Sequence, residues 1–239
     1  GFRIKAPGLA SLRVRSATSG SRPRTCGGSM AKASARAWQR MLSGRRLDLL
    51  DPSPLDVELT DIAHGLARVA RWNGQTIGEH SFSVAQHCLV VEETVGVLDP
   101  QVQVRWRLAA LLHDAAEYVV GDMISPFKAA ISPDYKSIER RLDEAVHIRF
   151  GLPATLPPPV KALIKKADKA CAYFEAVQLA GFSRADARKH IGAPPPDIEI
   201  TLEPMAAKDA QSAYLKRFYE LSEVMDKVHP PVRGARAWK

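Results

Sequence analysis

The run Leu108-Ala109-Ala110-Leu111-Leu112-His113-Asp114-Ala115-Ala116-Glu117 decides how this chain folds and where its chemistry lies. An apolar stretch leads straight into an imidazole and a carboxylate side by side, with a second carboxylate one turn on. Nothing about ending an apolar helix requires these residues. Burying them without partners costs on the order of several kcal/mol. A divalent metal is the simplest partner for such a set.

Outward from this run, apolar residues recur at helical spacing and strand-like alternation is almost absent. The pattern predicts a first helix over about Ala33–Leu42 and a short one over Asp61 to about Ala70. A long central helix is predicted from near His80 to about Val97, apolar around most of its circumference. The opening run belongs to a helix entered at Asp99-Pro100, extending to about Tyr118 and ended by Gly121. Ser125-Pro126-Phe127-Lys128 starts another short segment. Ile138, Leu142, Ala145, Val146 and Phe150 mark an amphipathic helix, and Val160 to Phe174 mark another after a Pro-rich loop. A second Pro-rich loop covers His190 to Pro196, and a last helix covers about Pro204–Val228. The expected fold is all-α, a single helical bundle with peripheral helices over residues 36–228. Residues 1–35 read as a basic leader without order and 229–239 as a basic tail.

The chain carries a net charge of +8, but the charge is unevenly placed. Residues 1–47 hold 11 Lys and Arg and no acid, which leaves 23 of the 34 basic and all 26 acidic side chains in the body, a net of −3. The basic balance belongs to the leader, so it does not argue for a nucleic-acid-binding surface. The leader reads as an extension ahead of Met30, with a transit peptide or a functional basic arm as alternatives. No apolar run approaches the roughly 20 residues that cross a bilayer. Three cysteines without paired spacing (Cys26, Cys88, Cys171) fit free thiols in a reducing, cytoplasmic setting.

Within a helix, His113 and Glu117 stand at i and i+4, and Asp114 and Glu117 at i and i+3. One segment can therefore offer a nitrogen ligand, an oxygen ligand and a nearby carboxylate. Three or four protein ligands are expected for a catalytic metal, so other segments must contribute. His80, next to the Gly78 loop, is the first candidate. Asp168 is the second, because it intrudes on the apolar stripe of its helix. His87 lies seven residues from His80, roughly 10 Å along a helix axis, too far for both to bind one ion, and is read as a core or supporting residue. His64, His147, His190 and His229 are read as solvated or locally bonded.

The order His80, then His113-Asp114, then Asp168 resembles the signature of the HD-domain metal-dependent phosphohydrolases, closest to the bacterial 5′-deoxynucleotidase branch. Glu79-His80-Ser81 with Val84-Ala85 is similar to the first motif of that branch. His113-Asp114-Ala115-Ala116-Glu117, followed by Gly121-Asp122 and Ser125-Pro126-Phe127-Lys128, is similar to the second. Lys166-Ala167-Asp168-Lys169-Ala170-Cys171-Ala172-Tyr173 resembles the third, and Arg71-Trp72 resembles a nucleotide-contacting pair. The likeness spans about residues 60–180. It implies one divalent metal (Zn, Mn, Co, Fe or Mg) on His80, His113, Asp114 and Asp168. It further implies Glu117 and Asp122 as catalytic carboxylates, and Arg71, Trp72, Ser125 and Lys128 at the substrate. The implied reaction is phosphate release from a nucleoside 5′-monophosphate, deoxyribonucleoside foremost. The partner is then a small nucleotide, with no nucleic acid or membrane involved and a homodimer as one open assembly. Two alternatives remain at this point. One is hydrolysis of another phosphate ester, a nucleoside triphosphate or signalling nucleotide, for which no dedicated basic cluster is evident. The other is a non-catalytic HD domain that binds a ligand.

Overall fold

The chain begins its described course with a hairpin, where the sequence pattern predicts a helix. The structure is a computed structural model that describes residues 37–123, 133–196 and 198–228. The basic leader (1–35), Ser125, Lys128 and the basic tail (229–239) lie outside the described residues. Strand β1 (Trp38–Arg40) pairs antiparallel with β2 (Arg46–Asp48), Gln39 opposite Leu47. Gly44 at φ +95° turns the chain back, in a backbone region that glycine enters without a steric penalty. Buried Leu47 and Met41 and the bond from the Ser43 N–H to Asp61 Oδ1 (2.9 Å) hold the hairpin on the helices. That tertiary burial outweighs the local helical spacing.

The rest is helical. Helix α1 is Leu59–Leu66, α2 is Val84–Leu98, α3 is Val104–Leu111 and α4 is Glu117–Val120. Helix α5 is Pro133–Arg149, α6 is Pro158–Gln178, α7 is Arg184–His190 and α8 is Ala207–Val228. A single 3-10 turn stands at Pro54–Asp56, and Arg71–Gly74 forms a tight turn with Trp72 and Asn73 in left-handed backbone. Among the described residues, no helix is long and apolar enough to cross a membrane.

Helix α2 is the central element the sequence predicts, packed by α3, α6 and α8. Val84, Ala85, His87, Cys88, Val91 and Val95 are all fully buried, on more than one face. Each large apolar side chain buried in this way stabilises the fold by about 1.5–3 kcal/mol. The start of α2 differs from the expectation. Ser83 Oγ accepts from the Gln86 N–H (3.2 Å) and caps the helix there, so His80 lies in the preceding loop rather than on α2.

The predicted helix through Tyr118 is also broken in two. Helix α3 stops at Leu111, and the chain runs through tight turns to α4. The N–H of Ala115 bonds to the Leu112 carbonyl (3.0 Å) and that of Glu117 to the Asp114 carbonyl (3.0 Å), the three-residue spacing of a 3-10 turn. Buried Tyr214 of α8 donates its hydroxyl to the Leu111 carbonyl (3.0 Å) and satisfies an acceptor that the helix end leaves open. Helix α1 presses on α4 through Gly65, where a Cβ would stand 2.8 Å from Tyr118 Cβ.

Candidate metal centre

Three elements converge under the end of α3. His87 comes from the end of the first turn of α2, His113 and Asp114 from the turn after α3, and Asp168 from the middle of α6. His87 Nε2 lies 3.5 Å from Asp114 Oδ2 and 3.4 Å from Asp168 Oδ1, and His113 Nε2 lies 3.1 Å from Asp114 Oδ2. Ligand atoms of His87, His113 and Asp168 all fall within 4.8 Å of one another. Donors bound about 2.0–2.2 Å from one ion stand roughly 3.0–3.5 Å apart, so the spacing suits a single cation.

The histidines are prepared for that role. His113 Nδ1 faces the Ala110 carbonyl at 2.9 Å, and His87 Nδ1 faces Glu175 Oε1 at 2.5 Å. Each contact places the ring proton on Nδ1 and turns Nε2 toward the carboxylates. Both Nε2 atoms are buried and lack a well-formed hydrogen-bond partner. A buried nitrogen left unsatisfied is costly, and a metal would satisfy both. Two imidazole nitrogens and two carboxylate oxygens suit zinc or another first-row divalent ion.

The electrostatics tell the same story. Burial and the Arg71 guanidinium oppose charge on His87, yet Glu175 and Asp168 outweigh them and push its pKa up to about 9. Burial likewise opposes charge on His113, and Asp114 overcomes it, raising the pKa well above the ordinary value. Burial alone would raise Asp114 and Asp168. The facing histidines instead hold both below the usual carboxylate range, with Arg71 helping at Asp114. The pull that holds protons on these rings is the pull available to a cation.

The structure corrects one ligand of the predicted set. It brings His113, Asp114 and Asp168 together but joins His87 to them, not His80. His80 lines a separate cavity of about 330 Å³ with Arg68, Glu79 and Met205. The reason is the Ser83 cap, which leaves His80 outside the helix and puts His87 on its inner face, fully buried. The signal in the sequence is Ser83, a favoured N-cap residue directly before Val84. The helical rise does not separate the two histidines, because only His87 is on α2.

Glu117, Arg71, Trp72 and Asp122 are the other predicted residues among those described, and they connect to this cluster by charge and hydrogen bonds. Glu117 is buried at the first position of α4, and its charge acts on Arg71. Asp122 accepts from Arg71 Nη1 at 3.2 Å, and Arg71 Nε donates to Glu175 Oε2 at 3.3 Å. Trp72 directs its indole N–H to Glu175 Oε2 (2.9 Å) and packs on Phe182 with ring centroids 5.7 Å apart.

Beside the cluster opens a cavity of about 360 Å³, whose wall includes His113 and Asp168. Arg140, Lys161 and Lys165 stand on the same wall with Asp143. Burial, reinforced by Glu139 and Asp114, pushes the Asp143 pKa up to about 7. Sequence reading missed His87, Glu175 and Asp143, and it saw no basic group of this kind.

A helical bundle that closes on a His, His-Asp, Asp centre is that of a metal-dependent HD phosphohydrolase. Residues 62–185 match the family described as 5′-deoxynucleotidase YfbR-like, and the chain belongs to that family. An uncharacterized protein of Rhodobacter capsulatus is 56% identical over 190 residues, covering 78% of this chain and 96% of that protein. The Escherichia coli protein YfdR is 30% identical over 176 residues, 71% of this chain and 86% of its own length. A 5′-deoxynucleotidase of Vibrio cholerae is 32% identical over 135 residues, 46% of this chain and 68% of that enzyme.

Proposed function

We propose that the protein hydrolyses the phosphomonoester of a nucleoside 5′-monophosphate, with deoxyribonucleoside monophosphates as the leading class. The observation that carries this reading is the four-donor cluster of His87, His113, Asp114 and Asp168, two of whose members, His113 and Asp168, line a cavity of about 360 Å³. Membership of a 5′-deoxynucleotidase-like family supports it.

A divalent cation on these residues would neutralise phosphoryl charge and acidify a water. Arg71 offers five N–H donors, of which the bonds to Asp122 and Glu175 use two, leaving donors for a phosphate in a fork that lysine cannot reproduce. Trp72 has its indole N–H committed to Glu175, so its role at the substrate is to hold the Arg71 turn. Glu117, buried at the start of α4 with its charge acting on Arg71, carries the proton between water and the leaving 5′-oxygen. Asp122 orients the Arg71 guanidinium. Ser125 and Lys128 complete the phosphate site in this proposal.

A second reading has one observation in its favour. Arg140, Lys161 and Lys165 on the cavity wall suit a substrate with further phosphates. A screen of ribo- and deoxynucleoside mono- and triphosphates, with several divalent metals and separate detection of phosphate, pyrophosphate and triphosphate, tests both. Orthophosphate from monophosphates alone supports the first reading. Triphosphate or pyrophosphate release with inert monophosphates overturns it for the second.

A further inference from the structure

We infer that Glu175 is a positioning residue: from α6 it orients the His87 ring for the metal, and with its other oxygen it holds the turn that carries Arg71 and Trp72. This rests on the metal centre in the proposed function. Glu175 lies seven residues beyond Asp168, two turns along one helix, so both carboxylates point to the same side of α6. Its side chain is wholly buried. Its charge is satisfied by three donors from two other segments, His87 Nδ1 at 2.5 Å, Trp72 Nε1 at 2.9 Å and Arg71 Nε at 3.3 Å.

Each contact does a distinct job. The Oε1 contact fixes the His87 proton on Nδ1, leaves the Nε2 lone pair facing Asp114 and Asp168, and makes the ring a better donor. His113 has only the neutral Ala110 carbonyl in the same place, so the two histidines are oriented with unequal strength. The Oε2 contacts hold a turn in which Trp72 (φ 57°) and Asn73 (φ 51°) both adopt the left-handed backbone that L residues rarely enter. One carboxylate thus couples the metal ligand to the arginine proposed to bind phosphate.

The test measures metal affinity of the full chain by competition with a chromophoric chelator, together with the visible absorption of the cobalt(II) form. Glu175→Gln keeps the shape and removes the charge. The expected result is metal binding weakened about 10–100-fold with shifted cobalt bands. Trp72→Phe deletes one Oε2 donor and leaves the His87 contact, and it should bind metal within about twofold of the parent. Unchanged affinity and spectrum in Glu175→Gln, even with lowered thermal stability, overturn the inference, as does equal loss in Trp72→Phe. Should Glu175→Gln not fold, the double variant Arg71→Gln/Glu175→Gln removes the opposite charges together and is read in the same way. His87→Ala separates the two levels: metal lost there but retained in Glu175→Gln sinks only the role of Glu175, and metal retained in both sinks the metal centre as well.

Discussion

The Tyr214 hydroxyl donates to the Leu111 carbonyl at 3.0 Å, so the last helix of the chain closes α3 two residues before His113. The contact is buried and spans 103 residues of sequence. Removing the hydroxyl leaves an open carbonyl at the turn that shapes the metal centre. Tyr214→Phe should therefore lower stability by about 1–2 kcal/mol and weaken metal binding modestly. Chemical denaturation and metal titration read the two effects, and a variant as stable as the parent would show that this carbonyl finds another donor.

Gly65 on α1 faces Tyr118 on α4 with no room for a methyl group, the added Cβ standing 2.8 Å from Tyr118 Cβ. Gly65→Ala should destabilise the fold by about 1–3 kcal/mol through overpacking, even though alanine favours a helix by itself. The shift pushes on α4, so activity should fall together with the melting temperature. A higher melting temperature in Gly65→Ala would contradict the close approach.

His87 and His80 give opposite expectations. His87→Ala should abolish stoichiometric metal binding and at least 100-fold of phosphate release, while His80→Ala should retain both within a few fold. Metal analysis of the purified variants decides it, and loss of metal in His80→Ala alone would reverse the assignment.

Glu117→Gln should keep the metal and lose turnover by about 10²–10⁴-fold, the usual contribution of a positioned proton carrier. Parallel metal content and initial rates make the comparison. Full activity in this variant would remove Glu117 from the proposed chemistry.

The raised histidine pKa values give metal binding a pH dependence of known sign. A metal must displace the proton that His87 holds up to about pH 9, so affinity should fall as pH drops from 9 toward 6, by up to about tenfold per unit for each proton displaced. The metal-free fold should run the other way. Its stabilisation by protonated His87 is fully present below about pH 6.5, the ordinary histidine value, and is lost as pH rises through about 9. Chelator competition and thermal melts across pH 6–10 measure both slopes.

What the sequence determined by itself was the helical class, the central place of α2, and the grouping of His113, Asp114 and Asp168. Each of these was legible because its signal is local: apolar period, or polar residues set into an apolar stripe. The tertiary structure decided three further things. It made Trp38–Arg40 a strand, because burial of Leu47 and the bond to Asp61 outweigh local periodicity. It chose His87 over His80, because a single serine cap sets where α2 begins and so which histidine faces inward. It placed Glu175 behind that histidine, a contact across 88 residues that no spacing rule encodes. Periodicity specifies which face of an element is buried, but only packing specifies what that face meets.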